Sequence, residues 1–421
     1  MTPSAPDVTR RDRCRLCGSK HLELVLPIAA SPIADAYLPR ERLSEKQDAY
    51  PLDLYLCNGC GHVQNVDVVN PDILFRDYIY VTSSSLGLVE HYRQYANDVT
   101  AEFGVERGAL ALEIGSNDGS LLGFFKAKGL KVLGIDPARR IAEEATARGI
   151  TTLPEFFGSK LAEGLRKEHG PAAIIAANNV FAHADNLADI VQGIRTMLDD
   201  DGVFIFEVSY LPDIVDRFLF DTVYHEHVSY HSVLPLTRFF EKLGMQLFDV
   251  LRISSKGGSI RGFAQLWPEG RHAVTYRVTE MISEESRRGF DKSSVYREYG
   301  AAITARKNAL QKVVNDACAR GKTVAGYGAS TTVTTLMWHF ELSDKLHFLV
   351  DDNPLKQGLF APKCHLPVLP SEVLYSRRPD YVVILAWNYA EPIMKRHQRY
   401  LSEGGTFVVP LPELRVITGP Q

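Results

Sequence analysis

Three groups of residues in this chain have types and spacings that can do chemistry. Cys14-Arg15-Leu16-Cys17 and Cys57-Asn58-Gly59-Cys60 each place two sulfurs on a tight turn. Four thiolates so arranged complete a tetrahedral Zn²⁺ site, and with no coordination position left for a substrate such an ion is structural. Gly18 and Gly61 follow the second cysteine of each pair, where a turn of this kind takes a positive φ. The 39 residues between the pairs exceed the interval of a small finger and fit a zinc ribbon carrying an insert. Cys318 and Cys364 stand far downstream, so the six cysteines read as one metal site plus two buried thiols and not as a disulfide framework.

The second group is a glycine loop, Glu113-Ile114-Gly115-Ser116-Asn117-Asp118-Gly119-Ser120, which ends an apolar strand and opens a helix. Gly115 and Gly119 let the backbone turn closely against a ligand at the carboxyl edge of a sheet. A dinucleotide fingerprint would need glycine where Asn117 and Ser120 stand. S-adenosylmethionine (SAM), which has no pyrophosphate to seat on the helix, suits the loop better than NAD. Asp136 ends the next strand 21 residues after Gly115, where its carboxylate can accept hydrogen bonds from both ribose hydroxyls. Glu113 is placed to orient the loop or to meet the amino acid part of the cofactor. A second loop, Gly326 to Thr331, is followed by Asp351-Asp352 and approaches the dinucleotide pattern. Its backbone N–H groups suit a nucleotide diphosphate. Lys356 and Arg261 could add charge there, although either one alone reads more readily as solvated surface.

The third group is Tyr224-His225-Glu226-His227, extended by Tyr230 and His231. On a strand His225 and His227 would share one face and Tyr224 and Glu226 the other. On a helix His227 and His231 would be neighbours. No further acidic residue or histidine at comparable spacing completes a second metal site; a satisfied structural cluster and proton chemistry remain, and the segment's place after the fifth strand of the sheet favours proton chemistry. Histidine has the pKa to take a proton from a substrate, and a tyrosine hydroxyl can hydrogen-bond the oxyanion that develops.

These groups need elements to hold them. Strand and helix patterns alternate from ALALEIGS through KVLGID, AAIIAAN and GVFIFEVS, which predicts βαβ units and a parallel sheet. MQLFDVLRIS and SIRGFAQLW predict a closing antiparallel hairpin. A helix-prone stretch from about 275 to 318 leads into a second α/β unit: KTVAGYGAS, HFLVDD, DYVVILAW and GTFVVP. The expected order is a zinc-binding domain over 1–80, a cofactor-binding α/β domain over 81–270, then linker helices and a Rossmann-like α/β domain over 271–421. A chain of 421 residues is long enough for several cores. A net charge of −4 with no basic, aromatic-rich stretch beside the cysteines argues against nucleic acid. No apolar run is long enough to span a membrane and the start lacks a signal peptide, so a cytoplasmic monomer is expected.

Glu113-x-Gly-x-Asn-Asp-Gly-x-Leu, the Gly-Ile-Asp-Pro at 134–137 and Ala-Asn-Asn-Val-x-Ala-His at 177–183 resemble class I methyltransferases. With the cysteine-rich front and Tyr224-His225-Glu226-His227, nearly the whole chain is similar to the sugar C-methyltransferase family of bacterial deoxysugar pathways, particularly its C-3′ branch serving sugars such as tetronitrose. That resemblance implies SAM as methyl donor, bound around Glu113, Gly115, Asn117, Asp118, Gly119, Asp136 and Asn179. It implies His227 as base, with Tyr224, Glu226, His183 and Tyr78 in the pocket, and a dTDP-linked keto deoxysugar as acceptor. A zinc-ribbon methyltransferase gripping nucleic acid and a non-catalytic nucleotide-sugar binder are the competing readings.

Overall fold

The computed structural model describes residues 7–76 and 80–419. The chain divides into two compact units, neither of which is one continuous stretch. The first takes residues 1–23, 56–214 and 228–292; the second takes 24–55, 215–227 and 293–421.

The first unit is built on a seven-stranded sheet. Its strands are β1 (Leu110–Ile114), β2 (Lys131–Ile135), β3 (Thr152–Leu153), β4 (Ala172–Asn178), β5 (Leu198–Ser209), β6 (Met245–Ile253) and β7 (Ser259–Leu266), in the spatial order β6-β7-β5-β4-β1-β2-β3. All pairs are parallel except those of β7, which closes antiparallel on β5 and β6, as the hairpin pattern predicts. Alternation along the strands builds a core on each face of the sheet. Leu112, Ile114, Ile175, Phe204 and Phe206 belong to one buried cluster. Their chain neighbours Ala111, Ile174, Ala176, Val203 and Ile205 belong to the other. Strands covered on both sides have no polar face, which is why β1 and β4 are apolar apart from Glu113 and Asn178 near their carboxyl ends. The strand order reverses between β1 and β4, and a crevice opens at such a switch point beyond the carboxyl ends. Glu113, Asn178 and Glu207 all stand at those ends.

The second unit carries a six-stranded sheet: β8 (Val324–Tyr327), β9 (Leu349–Val350), β10 (Val368–Leu369), β11 (Tyr381–Ile384), β12 (Thr406–Val409) and β13 (Arg415–Thr418), ordered β10-β9-β8-β11-β12-β13. It is Rossmann-like, parallel except for β13. Two distant segments join it through specific bonds. Leu38 and Phe360 exchange backbone hydrogen bonds of 3.0 and 2.8 Å. The Trp387 indole donates to Asp221 at 2.8 Å. The polar stretch between the cysteine pairs therefore contributes to this unit.

Candidate active site and metal centre

The two cysteine turns converge within the first unit. The Sγ atoms of Cys14, Cys17, Cys57 and Cys60 all lie within 4.8 Å of one another. Cys14 and Cys60 are 3.7 Å apart, and Cys17 and Cys57 3.5 Å. Tetrahedral Zn–S bonds of about 2.3 Å set sulfurs about 3.8 Å apart, so the constellation fits that ion. Gly18 and Gly61 take φ of 80° and 84°, and their N–H groups close each turn onto Cys14 O and Cys57 O at 3.0 and 2.8 Å. Bound there, Zn²⁺ supplies cross-linking of two turns and no open position for catalysis.

At the glycine loop the backbone leaves β1 and turns so tightly that Gly115, at φ 69°, could not carry a side chain. A Cβ there would lie 2.4 Å from Val180 Cγ2. Asp136, at the tip of β2, accepts the Asn117 N–H at 2.8 Å and the Ala138 N–H at 2.9 Å. Each carboxylate oxygen keeps a second lone pair, so both can still meet a ribose hydroxyl. Asn117 and Asp118 have work inside the protein. The Asn117 amide oxygen accepts the Thr82 N–H at 2.9 Å, and Asp118 accepts the Ser83 N–H at 2.9 Å. Asp118 also accepts from the Ser120 hydroxyl at 2.6 Å, holding the start of the helix Ser120–Ala127. Burial opposes its ionisation, but hydrogen bonds from Ser120 and Ser83 win and keep its carboxyl below the usual range. Asn179, at φ 59°, donates its N–H to Glu207 O at 2.7 Å.

The histidine segment is neither strand nor helix. Residues 224–227 form a turn closed by the His227 N–H on Tyr224 O at 2.9 Å, which brings Tyr224 and His227 together. Their ring centroids are 4.1 Å apart and the Tyr224 hydroxyl is 3.1 Å from His227 Nε2. His227 Nδ1 lies 2.7 Å from Thr222 O, a carbonyl that can only accept. Nδ1 therefore carries the hydrogen, and the basic lone pair is on Nε2. His225 is different: buried, its ring set edge-on to Tyr50 at 5.8 Å, its pKa lowered by burial to about 4. His231, in the first unit, is also lowered to about 4 by burial and stacks on His62 at 5.4 Å. Glu226 is buried, and His183 is half-buried, stacked on Phe75 at 5.7 Å. Tyr78 lies outside the described residues.

Three family models match the chain: a putative zinc binding domain over 14–75, a methyltransferase domain over 88–250, and a C-methyltransferase C-terminal domain over 254–412. The C-methyltransferase NovU of Streptomyces niveus is 35% identical over 408 residues, 97% of each chain. The chain belongs to the SAM-dependent C-methyltransferases. Among solved structures, the SAM-bound magnesium protoporphyrin IX methyltransferase of Synechocystis PCC 6803 aligns over 44% of this chain and 84% of its own, at 14% identity and a TM-score of 0.32. The Burkholderia thailandensis 1,6-didemethyltoxoflavin-N1-methyltransferase aligns over 42% and 77%, at 17% identity and a TM-score of 0.32.

This C-methyltransferase fits its cofactor in a way that the motif alone does not reveal. Buried polar atoms around the loop have no close, well-aligned hydrogen-bond partner among the described residues: Glu113 Oε2, Ser116 Oγ, both amide atoms of Asn178, which lies between Glu113 and Tyr95 and acts weakly on both, and the Tyr95 hydroxyl. Unpartnered buried polar atoms are costly in a native fold unless a ligand or water meets them. Acceptors at Glu113 and Asn178 suit an ammonium, and donors at Asn178, Ser116 and Tyr95 suit a carboxylate, the two ends of an amino acid. Burial, then the charges of Asp118 and Asp136, push the Glu113 carboxyl well up, so a bound cation would favour its ionised form. The sequence reading named Asn179 and passed over Asn178, Ser116 and Tyr95; the one available signal was a polar residue ending the apolar run of β4. Arg261 also departs from the solvated expectation. It is buried, bonded through Nε to Glu207 at 2.8 Å and seated 4.1 Å over the Tyr95 ring, while His91 lies 2.8 Å from the same carboxylate. Lys356 is likewise buried, 2.6 Å from Asp35.

Proposed function

We propose that this enzyme methylates C-3′ of a dTDP-linked 3-amino-4-keto deoxysugar through an enolate, with His227 as the base, in antibiotic deoxysugar biosynthesis. The observation that carries the reading is the fixed tautomer of His227: Thr222 O holds Nδ1–H and leaves Nε2 as the proton acceptor beside the Tyr224 hydroxyl. SAM supplies an electrophilic methyl group on a sulfonium. The Tyr224 hydroxyl, which donates to Nε2 in the resting site, turns to the developing oxyanion as Nε2 takes the proton from C-3 and the C–H electrons become the enolate. The enolate carbon then takes the methyl group, and the electrons of the broken S–C bond stay on sulfur. The proton on Nε2 leaves to solvent after the new C–C bond has formed. His225 makes a poor base near neutral pH because burial already favours its neutral form down to about pH 4. Glu226, His183 and Tyr78 are assigned to acceptor contacts, and the second unit to the nucleotide.

Support for the phosphorylated acceptor comes from the second unit's own chemistry. Its unpartnered buried atoms include the Tyr37 and Thr334 hydroxyls and the Trp338 indole N–H, all neutral donors suited to oxygen-rich ligands. The test is a mass-spectrometric screen of dTDP-keto sugars with SAM, read as gain of one methylene, followed by His227→Asn. That variant is expected to bind both ligands normally and to lose roughly 10²–10⁴-fold in turnover, the usual contribution of a positioned base. Near-normal turnover in His227→Asn, with an inactive but ligand-competent His183→Asn or His225→Asn, reassigns the base.

A further inference from the structure

Arg15 stands between two metal-ligating cysteines, yet its side chain is fully buried and points away from solvent into a dense set of acceptors. Its Nη1 donates to Gln64 Oε1 at 3.0 Å and to Val228 O at 2.9 Å, and also bonds Asn65 O at 2.5 Å. Its Nε donates to Asp185 Oδ1 at 3.0 Å, and Arg11 holds the other oxygen of that carboxylate at 2.8 Å. The two bonded carbonyls and the carboxylate come from three places far apart in sequence. Asp185 lies two residues beyond His183, in the loop after β4. Val228 is the residue that follows His227. Asn65 ends the strand Val63–Asn65 that leaves the second cysteine turn and pairs with Ser229–Tyr230.

The bonds around this hub extend the same connection. Ala182 O accepts the N–H groups of Val228 and Ser229 at 2.8 and 3.1 Å, and His231 Nε2 bonds Phe181 O at 2.9 Å. The loop that carries His183 and the segment from Val228 to His231 thus form one hydrogen-bonded layer, and the guanidinium fastens both to the cysteine turn. Nη1 and Nε carry all of the Arg15 bonds, and Nη2 has no partner among the described residues; the rigid plane sets the two engaged nitrogens at a fixed separation, which lysine cannot reproduce.

We propose that Arg15 is a positioning residue for methyl transfer: cross-linking of the cysteine turns fixes its guanidinium, and the guanidinium fixes the loop bearing His183 through Asp185 and the chain leaving His227 through Val228 O. The inference rests on the reading of His183 as an active-site residue. It concerns geometry, so its signature is a loss in the chemical step without loss of metal or cofactor.

The experiment compares Arg15→Lys, Arg15→Met and Asp185→Asn with wild type in four readouts: zinc per chain by elemental analysis, SAM affinity by calorimetry, single-turnover rate, and the His183 ring resonances of ¹⁵N-histidine-labelled protein. All three variants are expected to keep one zinc and SAM affinity within twofold. Turnover should fall about 10–100-fold in the arginine variants, with a displaced His183 signal, and less in Asp185→Asn. A single-turnover rate within twofold of wild type and an unmoved His183 signal overturn the proposal. If the arginine variants do not fold, Asp185→Asn decides, since Asp185 is partly exposed and touches no cysteine in its bonds to Arg11 and Arg15. His183→Asn separates the two readings. Full activity in that variant removes His183 from the site, whereas an inactive His183→Asn beside fully active Arg15 and Asp185 variants removes only the role of Arg15.

Discussion

The two glycine loops are alike in their local bonding and differ in what surrounds them. In each, an aspartate at the tip of the second strand accepts one N–H from the loop and one from two residues ahead: Asp136 from Asn117 and Ala138, Asp351 from Ala329 and Asn353. Around the first loop, a buried carboxyl oxygen, an amide and two hydroxyls have no close, well-aligned partner among the described residues. Around the second, the polar groups at the strand tips are joined to one another. Asp352 accepts from the Tyr327 hydroxyl at 2.9 Å and the Ser371 hydroxyl at 2.6 Å and pairs with Arg396. Tyr327 and Tyr375 engage the two nitrogens of His397 at 3.1 and 2.9 Å. Among the described residues, what stays unpartnered on and near the helix Thr331–His339 includes the Tyr37 and Thr334 hydroxyls, the Trp338 indole N–H and one oxygen of the buried Asp221 carboxyl. The lesson is that a strand–glycine–helix turn does not by itself declare a ligand. The groups left unsatisfied at the loop itself say more: beside the first loop they include an ionisable acceptor at the end of its own strand, Glu113, whereas in the second unit they are mostly neutral donors, with the Asp221 oxygen among them.

That contrast can be broken. The largest effect is expected in Asp136→Ala, which should weaken SAM by about 1.5–3 kcal/mol, the range for hydrogen bonds to a charged group. Asp351→Ala, altering the equivalent position of the second loop, should leave SAM affinity unchanged in the same titration. Equal losses would mean that the two loops are not functionally distinct.

A second expectation follows from the raised Glu113 carboxyl. The ionised form is the one that attracts an ammonium, so SAM affinity should rise with pH through the range where Glu113 loses its proton, then level off. One linked proton allows at most about a tenfold change per pH unit. Glu113→Gln should flatten the profile, and calorimetry in buffers of different ionisation enthalpy should detect proton release in wild type only. An affinity that falls with rising pH would remove Glu113 from the cofactor's ammonium.

Smaller effects sharpen the description of the second loop. Thr334→Val removes a buried hydroxyl with no close hydrogen-bond partner among the described residues beyond its neighbour Tyr37, so the ligand-free protein should lose about 1 kcal/mol of stability at most by thermal unfolding. Affinity for thymidine diphosphate should nonetheless fall by about 1.5 kcal/mol if that hydroxyl meets an oxygen of the ligand. Unchanged nucleotide binding would return Thr334 to the core. Asp352→Asn disturbs bonds that are partly solvent-exposed and should cost about 1 kcal/mol of stability with SAM affinity intact. A loss of SAM binding here would contradict the separation of the two loops.

Much of this was written in the order of residues. The alternation of apolar strand and helix patterns specified the parallel sheets, and the split by Ser255–Gly258 specified the β6–β7 hairpin. Paired cysteines with glycine after each pair specified the metal turns, since the chelate geometry is local to four residues. The Glu113–Ser120 loop and Asp136 were legible for the same reason, because each motif fixes its own backbone. Only tertiary structure decided the rest. It divided residues 224–231 between the two compact units, and it made His227 the partly exposed ring whose basic Nε2 sits beside the Tyr224 hydroxyl, and His225 a buried neutral ring. It assigned the stretch 24–55 to the unit of the second sheet. It buried Arg15 and Arg261, which by type alone belong at the surface, against Asp185 and Glu207. The physical reason is common to all four. Periodicity and turn chemistry are short-range, whereas burial, pKa and the satisfaction of a hydrogen bond depend on partners brought from elsewhere in the chain.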